Sequence, residues 1–592
     1  MSYRAPVNET LFFLEHCTSL PKLAEEMPDL SADLVKSVLE EAGKFAGEKV
    51  APLNRVGDQE GTKFENGVVR MPKGWKETYK AWCEAGWQGL AAPTDYGGQG
   101  LPNIVNMACA EYWTSASMAW ALGPLLTTAA IEAMHAHGSD ALKKKYLAKL
   151  VSGEWTGTMQ LTEPQSGSDL TQLRTRAVKQ SDGSYRLKGQ KIFISYGEHD
   201  MTDNIVHFVI ARLPDAPAGT KGISLFLVPK FIVKDDGSLG DRNDLRAASV
   251  EHKMGIHASP TCVMVYGDGD GAVGYLVGEE NKGLACMFTM MNNARLGVGV
   301  QGVAIAERAM QQAFAYARER KQGQGANGGG MVPIVEHPDV KRMLMTMRAL
   351  TSASRSISLK CADALDRAKL AKNPAEKKAA FEEGNLLTPI AKAFSTDAGI
   401  EVASLGVQVH GGMGFIEETG AAQHYRDARI TSIYEGTNGI QSIDLVTRKI
   451  TQSGGDTLKR MIAGFHATAA AVKASKEKFG ATAARLDEAL ASLEKTSRHV
   501  LELLGKNPNA ALAGATPYLR IFGLVAGASY LAEAALAAGA LRAGGDTDPA
   551  HLARIETARF FAENLLPAVH GLEPVVLAGD DSVMNSEIAL AV

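Results

Sequence analysis

Three glycines near the middle of the chain have the spacing of a dinucleotide-binding turn. Gly297, Gly299 and Gly302 match Gly-x-Gly-x-x-Gly, which holds a pyrophosphate when a strand precedes the turn and a helix follows it. Residues 287–296, which come just before, have a helical pattern and no strand signal. We therefore predict that these glycines allow helices to pack closely, and we infer no nicotinamide cofactor.

Other familiar catalytic patterns are absent or weak. The sequence has no Walker motif, no Gly-x-Ser-x-Gly elbow and no His-Glu-x-x-His motif. His135 and His137 are two residues apart, which on a helix places them on different faces. Ser168 has no histidine near it in the sequence, so it is weakly supported as a nucleophile. We predict no metal centre.

Four further segments combine glycine-rich turns with polar and acidic residues. Each alone could be an ordinary turn. They are 159–170 (Met-Gln-Leu-Thr-Glu-Pro-Gln-Ser-Gly-Ser-Asp-Leu), 189–197 (Gly-Gln-Lys-Ile-Phe-Ile-Ser-Tyr-Gly), 408–415 (Gln-Val-His-Gly-Gly-Met-Gly-Phe) and 425–441 (Tyr-Arg-Asp-Ala-Arg-Ile-Thr-Ser-Ile-Tyr-Glu-Gly-Thr-Asn-Gly-Ile-Gln).

In this order and spacing, the four segments resemble the acyl-CoA dehydrogenase family. The resemblance extends over about residues 30–450 and includes 221–229, 251–261 and 316–321. It implies FAD-dependent α,β-dehydrogenation of an acyl-CoA thioester. It also implies a fold of a helical, a β and a second helical domain.

Glu435 matches the catalytic glutamate of that family. An α-proton beside a thioester is weakly acidic, so its removal needs a positioned base and a group that stabilises the enolate oxygen. The resemblance implies that the Glu435 amide and an FAD ribityl hydroxyl hold this oxygen, while the β-hydrogen leaves as hydride to the flavin. In some relatives the base precedes an arginine that matches Arg295. Here that position is Ala294, which cannot accept a proton.

The resemblance also implies binding residues. Those for the flavin in the same subunit are Gln160, Leu161, Thr162, Phe193, Ser195, Thr437, Asn438 and Gly439. Those that hold FAD of a neighbouring subunit are Arg320, Gln408, Gly411 and Gly412, which implies a homo-oligomer of at least two chains. Those for the acyl-CoA substrate are Ser168, Asn292, Arg295 and Gly436. The family often has Trp and Thr at positions 193 and 195, and often Asp at 292.

Hydrophobic patterning predicts the elements that position these residues. The fold class is mainly α with a central β-domain. The predicted domains are a helical domain (1–155), a β-domain shaped as a sandwich or barrel (156–285), a helical bundle with the base (286–452) and an Ala-rich helical domain (453–592). The predicted strands are 185–195, 204–212, 222–229 and 262–266. The pattern of residues 284–320 predicts one long helix. Ser31 and Asp548 are predicted to be helix N-caps.

An apolar stripe marks the tail. Its members are Leu486, Leu490, Leu493, Val500 and Leu504. An exposed apolar face of this length favours aggregation. We therefore expect the stripe to pack on the 286–450 bundle or across a subunit interface.

Composition excludes several classes of protein. The 592 residues are 45% hydrophobic and 22% charged, with a net charge of -4 and no basic block, which disfavours a nucleic-acid partner. No window approaches ~20 uninterrupted apolar residues, and no basic-then-apolar leader opens the chain. The six cysteines are scattered, which disfavours disulfides and thiolate metal sites. We expect a cytoplasmic protein without membrane contact.

The tail and the N-terminus narrow the resemblance. Overall length, residues 3–10 and the site at 434–441 most resemble bacterial 3-methylmercaptopropionyl-CoA dehydrogenases. That likeness implies oxidation of 3-(methylthio)propanoyl-CoA to 3-(methylthio)acryloyl-CoA in dimethylsulfoniopropionate breakdown, with an electron-transfer flavoprotein as acceptor. One alternative is a medium- or long-chain fatty acyl-CoA dehydrogenase. Another is a DNA-associated flavoprotein of the alkylation response, which would need a basic C-terminal face.

Overall fold

Helices dominate the first 154 residues of the computed structural model, which describes residues 3–27, 29–325, 328 and 330–591. The helices are α1 (Val7–Cys17), α2 (Leu20–Glu26), α3 (Ala32–Phe45), α4 (Ala51–Glu60), α5 (Trp75–Glu84), α6 (Asn103–Ala116), α7 (Met118–His137), α8 (Asp140–Leu142) and α9 (Ala148–Val151). An antiparallel hairpin, β1 (Lys63–Glu65) and β2 (Val68–Arg70), lies between α4 and α5.

A β-domain follows. Its strands are β3 (Trp155–Gln160), β4 (Arg176–Lys179), β5 (Tyr185–Ser195), β6 (Asn204–Arg212), β7 (Ile223–Pro229), β8 (Phe231–Val233), β9 (Leu239–Arg242), β10 (Leu245–Val250), β11 (Thr261–Tyr266) and β12 (Ala272–Val277). The main sheet has the order β10-β11-β5-β12-β7-β6-β3, and β4 pairs with β5 and β6. The four predicted strands are confirmed as β5, β6, β7 and β11.

Strand β5 connects the two halves of this sheet. Its residues 185–187 pair with β12, whereas residues 189–195 pair with β11. Strand β3 runs parallel to β6, and all its residues are buried. The end of β3 and the end of β5 carry two of the predicted flavin segments, so the sheet holds these segments near each other.

Long helices form the next segment. They are α10 (Gly283–Glu319), α11 (Pro338–Leu370) and α12 (Pro374–His410), and a hairpin of β13 (Lys321–Gln324) and β14 (Met331–Pro333) joins the first two. Shorter helices follow as α13 (Gly412–Phe415), α14 (Ala421–Ala428) and α15 (Asn438–Asp444). The predicted long helix is confirmed as α10.

The glycine pattern of α10 lies in its middle, where the helix crosses α12. A Cβ on Gly299 would lie 2.7 Å from the Ala391 carbonyl oxygen, and one on Gly302 would overlap the Ser395 carbonyl. These positions need glycine because the α12 backbone is so near. The prediction of close helix packing is confirmed.

The described residues of the tail form helices joined by short loops, without a strand. Its helices are α16 (Asp456–Ala474), α17 (Thr482–Lys506), α18 (Pro508–Ala513), α19 (Ala515–Ala543), α20 (Pro549–Phe560), α21 (Ala568–Leu577), α22 (Asp581–Met584) and α23 (Glu587–Leu590). Helix α19 packs on α11, α12 and α15, while α16, α17, α20 and α21 pack around it.

The apolar stripe of the tail lies on α17, and its expected location was wrong. Leu486, Leu490 and Leu493 have no exposed surface, but α17 packs chiefly on α16, α19 and α21 of the tail itself. The bundle is instead contacted by α19. This helix is apolar on most faces, so it lies between α17 and the bundle and covers both.

Helix α19 is also long and apolar enough to pass a membrane-span test based on length and composition. Its most apolar window has a mean hydropathy of 1.6, and 78% of that window is buried inside the protein. Buried core helices pass the same test, so this result is weak support for a membrane span.

Two helix starts follow directly from side-chain chemistry. The Ser31 hydroxyl accepts a hydrogen bond from the Leu34 amide (3.1 Å), and the Asp548 carboxylate accepts one from the Ala550 amide (2.9 Å). Each oxygen satisfies an amide that has no partner within its own helix. Both predicted N-caps are confirmed.

Candidate active site

Glu435 lies in the turn between α14 and α15, in a backbone conformation that is rare for a side chain of its kind. Its φ is 56°, and Gly436 follows with φ 82°. The Gln441 side chain donates hydrogen bonds to the carbonyl oxygens of both residues, each at 3.3 Å. The Glu435 amide makes no hydrogen bond within the described residues. Strained backbone of this kind often occurs at functional sites.

The environment of Glu435 suits a base that works near neutral pH. Burial raises the pKa of its carboxyl to about 7, while the charges of Arg295 and Lys392 act to lower it. A general base is most effective when its pKa is close to the working pH. Its side chain remains partly exposed, so a substrate can reach it.

Arg295 is held on α10 beside this turn. It forms a buried ion pair with Asp444 (3.2 Å), in which the two side chains are 5% and 2% exposed. A Cβ on Gly436 would lie 3.7 Å from the Arg295 guanidinium. The preceding residue, Ala294, is fully buried and offers no acceptor.

Lys392 on α12 was not anticipated from the sequence. It has no exposed surface, and its ammonium donates a hydrogen bond to the Asn438 side-chain oxygen at 2.8 Å. Burial lowers its pKa to about 7, although the charges of Glu435 and Asp397 raise it. A lysine within the apolar run 390–394 was the available sequence signal, because lysine is rarely buried without a partner.

Residues 437–439 begin α15, and two of their side chains are already engaged. The Thr437 hydroxyl accepts a hydrogen bond from the Ile440 amide (3.1 Å) as an N-cap. The Asn438 amide group donates to Asp397 (2.7 Å) and to Thr396 (3.0 Å) on α12. These two residues would therefore contact a cofactor mainly through their backbone groups. Gly439 is exposed.

The segment after β3 combines a buried anchor with free polar groups. The Gln160 side chain is fully buried, where it accepts a hydrogen bond from the Tyr266 hydroxyl and donates to Thr158 and His207. Leu161 and Thr162 are partly exposed. The Thr162 hydroxyl has no partner in the part of the chain that the structure describes.

The end of β5 presents an aromatic ring to the outside. Phe193 has φ 59° and is 60% exposed. Ser195 follows on the same strand and is partly exposed. A large exposed aromatic held in a strained backbone is unusual in a lone soluble chain. It fits a position that a flat ligand ring covers.

The structure does not bring every predicted residue to Glu435. Gln408, Gly411 and Gly412 lie at the far end of α12, and at 1.5 Å per helical residue Gln408 is about 24 Å along the axis from Lys392. Nothing lies within 4 Å of a Cβ built on either glycine. Arg320 caps the end of α10 nearby and is exposed. These four residues form a separate surface.

The predicted substrate residues differ in their surroundings. Ser168 is exposed in the loop before β4, and Asn292 is partly exposed on α10. The neighbouring Asn293, which the sequence did not single out, lines a small cavity between α6 and α7. No group of residues able to bind a metal ion occurs among those described.

Four family models match almost the whole chain. They are the N-terminal domain of acyl-CoA dehydrogenase (34–154), its middle domain (158–268), its C-terminal domain (281–450) and an acetyl-CoA dehydrogenase C-terminal-like domain (459–587). The chain belongs to the acyl-CoA dehydrogenase family. It is an FAD-dependent oxidoreductase that acts on CH–CH bonds.

Individual relatives extend over the full length. The chain is 47% identical to 3-methylmercaptopropionyl-CoA dehydrogenase of Ruegeria pomeroyi, over 99% of this chain and 100% of that one. It is 33% identical to a butyryl-CoA dehydrogenase of Syntrophomonas wolfei, over 93% of each chain. An acyl-CoA dehydrogenase of Bacillus anthracis complexed with FAD has the same fold, with a TM-score of 0.74, 23% identity and coverage of 93% and 89%.

Proposed function

We propose that this enzyme oxidises 3-(methylthio)propanoyl-CoA to 3-(methylthio)acryloyl-CoA, as in dimethylsulfoniopropionate breakdown, with Glu435 as the base. The observation that carries the substrate is the 47% identity, over the full length, to an enzyme of that name. The observation that carries the base is a carboxyl of pKa about 7 beside a free backbone amide.

Glu435 and its turn perform two tasks. The carboxylate takes the α-proton of the thioester, and the free Glu435 amide donates a hydrogen bond to the thioester oxygen as negative charge develops on it. Gln441 fixes the geometry for both tasks, because its side chain donates hydrogen bonds to the carbonyls of Glu435 and Gly436. Arg295, held by its ion pair with Asp444, supports the turn from α10.

The residues of the same subunit fit a bound flavin. Free polar groups on Leu161 and Thr162, beside the anchored Gln160, would meet the pyrimidine edge, and Phe193 with Ser195 would cover the ring. The turn 437–439 would approach the diphosphate through its backbone. Bound FAD supplies the acceptor for the hydride that leaves the β-carbon. Two observations support this: the Thr162 hydroxyl has no partner among the described residues, and the Phe193 ring is 60% exposed.

Substrate contacts extend along α10 and the 160s loop. Ser168 and Asn292 would bind the CoA part, while Arg295 and Gly436 line the turn beside the thioester. Ser168 is exposed, so a ligand can contact it.

The remote group on α12 suggests a homo-oligomer of at least two chains. Arg320, Gln408, Gly411 and Gly412 are about 24 Å along α12 from Lys392, so they would serve FAD held by a neighbouring chain. Their open glycines let a backbone approach a diphosphate, and an arginine neutralises it.

The remaining proposals concern context. The electron acceptor is an electron-transfer flavoprotein, the location is the cytoplasm, and the domains are 1–155, 156–285, 286–452 and 453–592. The gaps between the matched family models, at 155–157, 269–280 and 451–458, support boundaries near residues 155, 285 and 452. Several cations of the tail are paired with acids, for example Lys495 with Glu573 and Arg542 with Glu477. This pairing supports the acyl-CoA function over a DNA-associated one.

The deciding experiment is anaerobic titration of the purified enzyme with a panel of acyl-CoA esters while the bleaching of the flavin is followed. We expect kcat/KM for 3-(methylthio)propanoyl-CoA to match or exceed that for butanoyl-CoA. Butanoyl-CoA is the most informative competing substrate, because a butyryl-CoA dehydrogenase is also similar to this chain. A preference of more than tenfold for chains of twelve or more carbons would overturn the assignment and favour a long-chain enzyme.

A further inference from the structure

The segment 160–163 is fixed from behind by a fully buried lysine. Lys191 on β5 has no exposed surface. Its ammonium donates hydrogen bonds to the Leu161 carbonyl oxygen (3.1 Å) and to the Glu163 carboxylate (2.8 Å). The next amide on the strand, that of Ile192, donates to the Thr162 carbonyl oxygen (2.9 Å). Carbonyls of the segment therefore point toward β5.

Glu163 completes the arrangement on the other side. Its carboxylate also accepts hydrogen bonds from the amides of Arg174 (2.7 Å) and Thr175 (3.0 Å) and from the Thr175 hydroxyl (2.5 Å). Burial raises the pKa of this carboxyl, but Lys191 and these donors outweigh it and hold the pKa at about 2. The carboxylate is thus charged and fully bonded at neutral pH.

Such a pair is costly to build. Each ion loses its hydration when it is buried, and an ion pair of this kind often gives no more stability than well-packed apolar residues would. Its geometry is nonetheless specific. The pair ties the segment after β3 to the strand that carries Phe193 and Ser195 two and four residues later.

We propose that Lys191 and Glu163 are positioning residues that fix the segment 160–162 relative to the end of β5, so that both meet one flavin ring. This inference rests on the proposed flavin site. With the carbonyls of Leu161 and Thr162 turned inward, the Thr162 hydroxyl remains available to the ligand. The ammonium never touches the flavin and acts only through the backbone it holds.

The test replaces both charges together. In Lys191→Met/Glu163→Gln no unpaired charge stays buried and side-chain volume is conserved, so the apoprotein should unfold within a few degrees of the wild type. Loss of the carbonyl anchor should raise the Kd for FAD about tenfold or more, because roughly two hydrogen bonds no longer hold the segment. Quenching of FAD fluorescence by apoprotein gives the Kd, and thermal unfolding reports the fold.

A matched control lies on the same strand. Lys188 is exposed and donates a hydrogen bond to the Gly269 carbonyl (2.7 Å). Lys188→Met should leave the Kd for FAD unchanged. If the double variant does not fold, Thr175→Val removes one hydrogen bond to Glu163 without changing charge, and we expect about a threefold rise in Kd.

A parallel variant separates the two proposals. Phe193→Ala alters a proposed contact with the ring and should raise the Kd for FAD. If Phe193→Ala has no effect, the flavin site itself is wrong and the positioning inference is overturned with it. If Phe193→Ala raises the Kd while a folded double variant, or Thr175→Val in its place, binds FAD as the wild type does, the flavin site stands and the positioning role of Lys191 is overturned.

Discussion

Two lysines without exposed surface lie behind the site, one in the β-domain and one in the bundle, and their partners differ. Lys191 contacts a carboxylate, Glu163, at 2.8 Å. Lys392 contacts a neutral amide oxygen, that of Asn438, at 2.8 Å, while the acids Glu435 and Asp397 act on it at longer range. A cation in contact with an anion forms a neutral, rigid anchor. A buried cation without a contacting anion titrates nearer neutrality, and in its charged form it lowers the pKa of a nearby base.

The largest effect is expected from the base that Lys392 biases. Glu435→Gln keeps the size of the side chain and the backbone amide but cannot accept a proton, so we expect turnover to fall by about 10²–10⁴-fold or more. Flavin content and acyl-CoA binding should be preserved. Under anaerobic conditions, substrate should perturb the flavin spectrum without bleaching it.

The same variant can contradict the assignment. Reduction of the flavin at close to the wild-type rate would show that another group takes the proton. Adding Ala294→Glu to the inactive variant tests the geometry further, because it places a carboxylate directly before Arg295. Partial recovery of flavin bleaching would support the position proposed for the thioester.

Stability should distinguish the two lysines. Lys191→Met leaves Glu163, whose side chain is 2% exposed, without its cation, and breaking a buried pair from one side costs about 3–5 kcal/mol. Lys392→Met removes one hydrogen bond to the Asn438 oxygen, which also accepts one from the Thr396 hydroxyl (3.3 Å), so the cost should be about 0.5–1.5 kcal/mol. Chemical denaturation of both FAD-loaded variants at neutral pH measures the difference. Equal losses would show that the two sites do not differ in the way described.

The pH dependence of flavin reduction should respond to one lysine only. Glu435 must be ionised to act, and its pKa is raised to about 7, so kcat/KM should rise as the pH increases through about 7. Lys392→Met removes a positive charge that lowers this pKa, so the rising limb should move to higher pH.

The double variant Lys191→Met/Glu163→Gln is the matched control for this measurement. It exchanges a neutral pair for neutral residues and should leave the rising limb in place. Stopped-flow measurement of flavin reduction across the pH range compares the two variants with the wild type. If the rise of kcat/KM with pH occurs at the same pH in Lys392→Met as in the wild type, the charge of Lys392 does not affect the pKa of Glu435.

Local patterns predicted much of the fold. Alternating residues predicted β5 as 185–195, a β-rich run predicted β6 as 204–212, and the helical pattern predicted α10 within a residue of its bounds. The glycines at 297–302 were correctly placed in a packed helix because no strand signal precedes them. These features depend on neighbours in sequence, which a single chain reveals.

Long-range pairs were not predictable in this way. Glu163 and Lys191 are 28 residues apart, and Lys392 and Asn438 are 46 apart. Their contacts depend on how β3 meets β5 and how α12 meets α15. The prediction of where the tail stripe packs was wrong for the same reason. Periodicity shows that α17 buries one face, but it does not show which helix covers that face. The roles proposed for the flavin and substrate residues stay predictions.

The position of α19 on the bundle has a consequence for the synthesis of the chain. Gly523 on α19 packs directly against the Phe394 ring on α12, and Gly527 packs against Ala353 on α11. The α19 residues leave the ribosome about 130 residues after Phe394, which at ~5–20 residues per second is roughly 7–25 seconds. During that interval the apolar face of the nascent bundle has no cover. A newly made chain therefore passes through a period in which a chaperone, or another nascent chain, can occupy the surface that its own tail later takes.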